Sequence, residues 1–316
     1  MLIMAKKDLN TKTLSEKKGL MTARTKSKFI DFLFVLPAIA LLAVFTYYPV
    51  AKLVQISFTD WNLLNPTWEL VGLKNWKWLF AGTGAKYLWN SLKVTFLYSV
   101  GEIFITMVGG IIFALIFKRL TSGFSAMRAI VFVPKYVAMS SAAMVFLVIL
   151  NTDYGILNYL LSLIGIEKIN WLDNKSTALI SVLFCTGWRV VGYGMMIYLS
   201  AMMGISSQYY EAASLDGASK TVQFFKITLP LLSPTTLFLL VTTFLSSMKV
   251  FQSIDIMTSG GPNRATEVFV YQIYQYAMVD FRMDRAATSA VMFFAILLIV
   301  TVATMKYSNN VVTYDS

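Results

Sequence analysis

The sequence predicts an all-α integral membrane fold, a bundle of six transmembrane helices. Of its 316 residues, 57% are hydrophobic and 14% are charged, whereas about 25% of the residues of a soluble domain are charged. The apolar residues are concentrated in runs of about 20, the length that a helix needs to cross a hydrocarbon layer. We predict spans at about 30–50, 93–117, 129–150, 177–203, 232–252 and 286–305.

The first span is predicted to be an uncleaved anchor with its N-terminal side in the cytoplasm. The net charge is +11, and eight Lys and Arg residues fall within positions 1–28. Such a basic tail suits the anionic cytoplasmic leaflet. The following apolar run is longer than a signal-peptide core, and no small-residue cleavage site follows it. We therefore expect a basic cytoplasmic tail at 1–28, a membrane domain at 29–306 and a cytoplasmic tail at 307–316.

Loop charges support this orientation along the rest of the chain. Starting with the tail inside, the connectors at 118–128 and 205–231 fall in the cytoplasm. The first carries Lys118, Arg119 and Arg128 without an acid, whereas the external connectors mix both signs. This is the bias that the positive-inside rule requires. The external segment 155–165 is too short to span, so we expect it to lie along the interface or to pack over the spans.

Composition also limits the chemistry of the chain. It contains no histidine, and its one cysteine, Cys185, lies inside an apolar run. Zinc sites and histidine acid–base catalysis are therefore not expected, and no intramolecular disulfide can form. No basic domain interleaved with aromatic residues follows the tail, so we expect no nucleic-acid partner.

The cytoplasmic connector 205–231 has the pattern of a helical elbow. Ser206 or Ser207 can cap a first helix, and Gly217 suits the left-handed position that closes it. A second helix is predicted from about 219 to 228. Pro230 and Pro234 oppose its continuation into the next span.

This connector resembles the EAA loop of binding-protein-dependent ABC importer permeases. The pattern is EAA, three residues, Gly, nine residues and then I-x-L-P. Its positions are filled by Glu211, Ala212, Ala213, Gly217, Ile227, Leu229 and Pro230. One departure is that many family members have an early proline where this chain has Ile205, Ser206 and Ser207.

A second resemblance concerns the external side. The segments 258–267 and 271–274 resemble the GGP segment of the carbohydrate-importer, maltose-permease-like branch. Together the resemblances imply the six-helix fold of type I (MetI-like) importer permeases. They also imply that 205–231 is a coupling loop seated in an ATPase cleft, where Glu211 meets a basic residue of the partner.

The resemblance further implies a set of partners. These are two ATPase subunits that bind ATP and Mg²⁺, a second permease (usually a related but distinct chain), an external solute-binding protein and a sugar substrate. The sequence has no G-x-x-x-x-G-K-[ST] phosphate loop, so this chain is expected to be no enzyme and to hold no cofactor. The expected location is a bacterial-type cell membrane, multi-pass, with both termini cytoplasmic.

Polar residues inside the spans indicate candidates for a solute pathway. Arg189 lies mid-span, where an ionisable group usually faces a cavity or a partner, and it shares a helical face with Thr186 and Tyr193. Thr243 and Ser247 share a face of the next span. In the family both spans line the solute site, so these five residues are predicted to line the pathway.

An equally open interpretation pairs Arg189 with Glu102 as a structural ion pair. Hydroxyls within spans also commonly hold helices together. Lys93, Lys135 and Lys249 lie near predicted span ends, and we interpret them as snorkelling to the interface.

Other functions remain in competition at this stage. One is an ABC importer of a non-sugar solute such as a phosphodiester or a peptide, and acidic saccharides also stay open. Another is a secondary transporter driven by an ion gradient, although Glu102 is its only well-buried candidate acid. A membrane-embedded enzyme is least favoured, because no metal-ligand cluster or acid–base pair is visible.

Overall fold

The computed structural model describes residues 31–118 and 122–311, and within them it is helical. One isolated antiparallel bridge, between Thr59 and Leu70, is the only extended pairing in these ranges. The predicted tail 1–28 and the last residues of the tail 307–316 lie outside the described residues. Arg119 of the predicted cytoplasmic connector lies outside them too.

Two compact units divide the chain at Gln55 and Ile56. In the first, the described residues form most of one helix, α1 (Asp31–Ile56), whose apolar window contains no buried residue. A π-turn at Ala43–Tyr47 interrupts it. The second unit holds all the other described elements.

Six membrane spans can be formed by the described helices, as the sequence predicts. Four are single helices and two are pairs bent by 103° and 62°. The single helices are α1, α3 (Gly84–Ile116), α7 (Ala178–Met203) and the apolar part Met283–Thr304 of α13 (Met283–Val311). The bent pairs are α4 (Gly123–Tyr136) with α5 (Met139–Ile149), and α9 (Lys220–Leu231) with α10 (Ser233–Ser247).

Several predicted boundaries are wrong: two helices begin before the predicted apolar runs, and one ends before its run does. The second span begins at Gly84 rather than near 93. The predicted loop 118–128 is already helical from Ser122. The predicted span 232–252 is not one helix. It starts after a bend, and helix α10 of 15 residues ends at Ser247, which at 1.5 Å per residue is too short to cross alone.

Short helices also lie in the connectors that the sequence predicts to be external. They are α2 (Lys74–Ala81), α6 (Ile156–Ser162), α11 (Gln252–Met257) and α12 (Phe269–Tyr274). Helix α6 packs over α5 as expected. The side chain of its buried Asn158 donates to the carbonyls of Thr152 and Ile169 and accepts from the indole of Trp171.

Close contact between α3 and α7 forms the centre of the second unit. A Cβ added to Gly110 would meet the backbone of Gly194 at 2.7 Å, and one added to Gly194 would strike the carbonyl of Thr106. Small residues allow helix backbones in membranes to approach in this way. The remaining short helix, α8 (Ser207–Leu215), joins α7 to α9.

Candidate functional site

A cavity of about 540 Å³ lies where three of the spans are interrupted. Helix α3 contains a π-turn at Ile105–Gly109, α4 bends into α5 between Tyr136 and Met139, and α10 ends at Ser247. Interrupted helices free backbone groups and turn side chains toward a shared space. The charged residues that line the cavity are Glu102, Lys135, Arg189 and Lys249.

Arg189 is fixed to the bend between α4 and α5. Its Nε donates to the Val137 carbonyl at 3.1 Å and its Nη2 to the Lys135 carbonyl at 3.4 Å. Its Nη1 lies 2.8 Å from the Met139 Sδ. The guanidinium therefore satisfies carbonyls that the bend leaves without helical partners.

The interpretation that Arg189 forms an ion pair with Glu102 does not match this arrangement. Within the described ranges, the ion pairs closer than 4.0 Å are Arg264–Glu267 and Arg282–Asp284. Glu102 lines the same cavity as Arg189, so the two groups share a space without direct contact.

A smaller cavity of about 170 Å³ adjoins the first and shares Glu102 and Lys135 with it. The Lys135 ammonium lies 4.7 Å from the ring centroid of Tyr193, within the range of a cation–π interaction. The Thr106 hydroxyl is buried here without a hydrogen-bond partner among the described residues. Such an orphaned group is costly unless water or a ligand satisfies it.

Four of the five predicted pathway residues line one of the two cavities, and the fifth lines neither. Thr186 and Arg189 line the larger cavity, and Tyr193 and Thr243 line the smaller one. Ser247 lines neither. It is fully buried, and its hydroxyl donates to the Phe244 carbonyl.

Three cavity residues were missed or interpreted otherwise. Ser246, next to Ser247, lines both cavities, because the end of α10 turns it inward. Lys135 and Lys249, interpreted as snorkelling residues, line the cavity beside the bend after Tyr136 and the end of α10 at Ser247. The signal available for Lys135 was Pro134, which disfavours a straight helix through 129–150.

The elbow at 205–231 has the predicted local geometry. Ser206 is the cap of α8, and its side chain accepts from the Gln208 N–H at 3.4 Å. Gly217 has φ +78°, the left-handed conformation expected for the residue that closes a helix.

Two backbone bonds complete this closure. The Gly217 N–H donates to Ser214 O at 3.1 Å, and the Ala218 N–H donates to Ala213 O at 2.9 Å. This pair of bonds is the Schellman motif, which fixes the direction in which the chain leaves a helix.

The second arm of the elbow, α9, is longer than predicted. It is capped by Ser219, passes through a π-turn at Phe224–Thr228 and ends at Leu231 instead of near Thr228. After the π-turn, α9 resumes as the short α-helical stretch Leu229–Leu231, and Pro230 is at the start of that stretch. Proline is well tolerated at such an early position. The chain then bends by 62° into α10.

Side chains join the two arms. The hydroxyls of Tyr210 and Thr228 lie 2.9 Å apart. The Gln223 Nε2 donates to Ser214 Oγ at 2.9 Å and to the Ala218 carbonyl at 3.2 Å. These bonds make the elbow a braced unit and not a pair of independent helices.

The base of the elbow is embedded in the helical bundle. Leu232, at the bend, is fully buried, and it belongs to a core cluster with Tyr198 and Leu239. The Tyr198 hydroxyl donates to Thr236 at 3.2 Å. Displacement of the elbow must therefore move residues packed inside the bundle.

The tip of the elbow exposes a mixed apolar and acidic surface. Leu215 is 90% exposed, an unusual state for a leucine. Glu211 and Ala212 are exposed on the same helix, and Phe225 is exposed on the second arm. An exposed apolar surface beside a free carboxylate is typical of a docking surface.

The segment that follows α11 is held against α3 by two contacts of Arg264. The Asn90 side chain donates to the Arg264 carbonyl at 3.0 Å, and the Arg264 guanidinium carbon lies 3.9 Å from the Tyr87 ring centroid. Arg264 also pairs with Glu267 at 3.2 Å. Burial raises the pKa of Glu267, Arg264 opposes that rise, and Asp280 adds to it.

The described ranges contain no cluster of three or more His, Cys, Asp or Glu side chains that could hold a metal ion. The candidate sites are a polar cavity at the helix interruptions and the exposed apolar and acidic surface at the tip of the elbow.

Comparison with known proteins gives these sites a context. Residues 106–309 match the family "Binding-protein-dependent transport system inner membrane component". The chain is 34% identical to the probable ABC transporter permease protein YurN of Bacillus subtilis, over 89% of this chain and 97% of that protein. It is 29% identical to the trehalose/maltose transport system permease protein MalF of Thermococcus litoralis, over 88% and 92% of the two chains.

A solved structure has the same fold. It is a chain of a bacterial ABC transporter involved in the import of the acidic polysaccharide alginate. The TM-score is 0.78 at 23% identity, over 91% of this chain and 98% of that one.

Proposed function

Because this chain belongs to the family of inner membrane components of binding-protein-dependent transport systems, we propose that it is the permease subunit of an ATP-driven sugar importer. It forms the solute pathway and hydrolyses no ATP itself. The observation that carries the proposal is the braced elbow, whose exposed tip is continuous with a helix that borders the polar cavity.

A sugar or oligosaccharide is the proposed solute. A permease of 29% identity is named for trehalose and maltose. Hydroxyl and aromatic groups line the cavities, among them Thr186, Tyr193, Thr243 and Ser246. Sugar hydroxyls need hydrogen-bond partners and sugar rings stack on aromatic faces, so this lining suits a saccharide.

Two ATPase subunits are the proposed source of energy, since the sequence has no phosphate-binding loop. The proposed docking surface is the elbow tip around Leu215, with Glu211 meeting a basic group of the ATPase. Ala212 has almost no side chain, so a partner can approach the backbone closely. The remaining members of the elbow pattern are Ala213, Gly217, Ile227, Leu229 and Pro230.

The proposed assembly also contains a second permease and an external solute-binding protein. The second permease completes the pathway, and the binding protein delivers the solute on the external side. We place the chain in a bacterial-type cell membrane with both termini and the elbow in the cytoplasm. No cofactor is assigned to this chain, because ATP and Mg²⁺ bind to the partner ATPases.

Alternating access follows from these parts. ATP closes the ATPase pair, the elbows move with it, and the bent helices α9 and α10 turn the cavity toward the external side. Solute enters from the docked binding protein. ATP hydrolysis then reopens the pathway to the cytoplasm.

Reconstitution of the full transporter tests this function. The complex copurified with this chain is placed in proteoliposomes, and ATP hydrolysis and uptake of radiolabelled sugar are measured together. Glu211→Ala is expected to insert normally but to reduce ATP-dependent uptake at least tenfold. Glu69→Ala, which removes an exposed external carboxylate, is the matched control and keeps full uptake.

Two outcomes contradict the proposal. One is uptake that depends on an ion gradient and persists without ATP. The other is equal coupling in Glu211→Ala and the unaltered protein.

A further inference from the structure

We propose that the larger cavity takes an anionic saccharide, a uronate-containing sugar or a sugar phosphate, whose oxyanion binds between the amines of Lys135 and Lys249. This inference rests on the proposed function, because it assumes that the cavity is part of the solute pathway. It specifies the class of sugar, which the general function leaves open.

The charge of the cavity is the first argument. Three basic side chains, those of Lys135, Arg189 and Lys249, face one carboxylate, that of Glu102. The two ion pairs formed within the described ranges lie elsewhere, at Arg264 and Arg282. Positive charge without a direct counter-charge is costly within a membrane, and an anionic solute offsets that cost.

The availability of the amines is the second argument. Arg189 uses both Nη atoms and Nε at the bend, so it is mainly a positioning group that adds positive potential. By contrast, neither the Lys135 nor the Lys249 ammonium donates a hydrogen bond in the described part of the chain. The Lys249 ammonium can direct its donors to carboxylate or phosphate oxygens, and the Lys135 ammonium can do so from its position over the Tyr193 ring.

The position of Lys135 is the third argument. Its backbone carbonyl accepts from Arg189, and its ammonium lies over the Tyr193 ring at 4.7 Å. The backbone is thus anchored at the bend, and the charge is directed to the junction of the two cavities, which both contain Lys135. A bound oxyanion there leaves the Tyr193 ring near the sugar.

Neutral sugar alone does not account for this lining. The hydroxyls of Thr186 and Ser246 and the amide of Gln252 can bind any saccharide. A neutral saccharide would leave the excess positive charge of the cavity without a counter-charge. The volume of about 540 Å³ lies within the usual range for small-ligand sites, roughly 300–1,000 Å³.

Equilibrium binding to the detergent-purified transporter complex, without ATP, tests the inference. The probes are trigalacturonate and its fully methyl-esterified form, which has the same skeleton without charge, and glucose 1-phosphate with glucose as its neutral partner. We expect at least one anion to bind about tenfold more tightly than its neutral partner, with an affinity that falls as salt is raised. The pair that shows the difference identifies the anion as carboxylate or phosphate.

Variants locate the anion. Lys249→Gln and Lys135→Gln are each expected to weaken anion binding about tenfold and to leave binding of the neutral partner unchanged. Lys86→Gln removes the same charge at an exposed position of α3 that lines neither cavity, so it keeps full affinity. Thermal unfolding checks that each variant is folded.

Two results overturn the inference: equal binding of anions and neutral partners, or anion binding unaffected by both lysine variants. Failure of the proposed function has a different signature. It appears as loss of ATPase subunits from the purified complex or as ATP-independent uptake, neither of which depends on the charge of the solute.

Discussion

The hydroxyl of Tyr210 lies 2.9 Å from the hydroxyl of Thr228, so one hydrogen bond joins the first arm of the elbow to the base of the second. Thr228 is buried, and the Lys118 ammonium lies 5.4 Å from the Tyr210 ring centroid. Tyr210 therefore connects α8 to α9 through its hydroxyl and to Lys118, two residues beyond the end of α3, through its ring.

Tyr210→Phe is predicted to loosen the elbow without unfolding the protein. One lost hydrogen bond costs about 0.5–1.5 kcal/mol, and that cost should appear as faster hydrogen exchange at amides of α8. Coupling of ATP hydrolysis to uptake should fall, because a less rigid elbow transmits less of the ATPase movement to α9 and α10. Tyr209→Phe is the control, since the exposed Tyr209 lies outside this bond. Equal exchange rates in both variants would contradict the bracing role.

Gly217→Ala is predicted to open the end of α8. The added Cβ meets nothing within 4 Å, so the cost comes from the left-handed φ alone, about 1–2 kcal/mol. Protection of the Ala218 amide reports the loss. Gly217→Asn should cost less, because Asn tolerates this conformation. Gly123→Ala, also in open space but without positive φ, is the control and should keep stability.

Arg189→Leu is predicted to destabilise the bend between α4 and α5. It leaves the part-buried Val137 and Lys135 carbonyls without their donor, and an ordinary hydrogen bond contributes about 0.5–1.5 kcal/mol. A lower melting temperature of the purified complex measures this effect. Arg128→Leu is the control, because that guanidinium bonds within its own helix and near the surface. An unchanged melting temperature for Arg189→Leu would show that the bend does not need it.

A pH-dependent stability difference is predicted for Glu267. Since burial raises its pKa in the folded protein, the folded state holds a proton that the unfolded state loses near pH 4.3. Stability is therefore lost as pH rises from that value through the raised pKa, and it is level above it. The native melting temperature should fall more than that of Glu267→Gln across this window, and Glu69→Gln should follow the native curve. Parallel native and Glu267→Gln curves would exclude the effect.

Local signals in the sequence were sufficient for the elbow. Ser206 and Gly217 act through bonds within a few residues, so a cap and a left-handed glycine could be predicted without knowing the rest of the fold. The six spans were also predictable, because runs of about 20 apolar residues have few other uses.

Features that depend on distant contacts were harder to predict. Helix α10 ends at Ser247, and no proline or glycine near that residue marks the end in the sequence. Ser246 lines the cavity at this interruption, whereas Ser247 was predicted to do so. The bond from Arg189 to Val137 joins residues 52 positions apart, and no periodicity along one helix could indicate it.

The buried bend at Leu232 joins the elbow to helix α10, whose far end borders the cavity. Movement at either end can therefore be transmitted to the other. From Leu232 to Ser246 the helix rises only about 21 Å at 1.5 Å per residue. In the proposed transporter, the coupling between the two binding sites is reciprocal. If bound nucleotide changes the affinity for solute by some factor, bound solute must change the affinity for nucleotide by the same factor. In such a transporter, solute binding can regulate nucleotide binding through this bend, without a separate sensor domain.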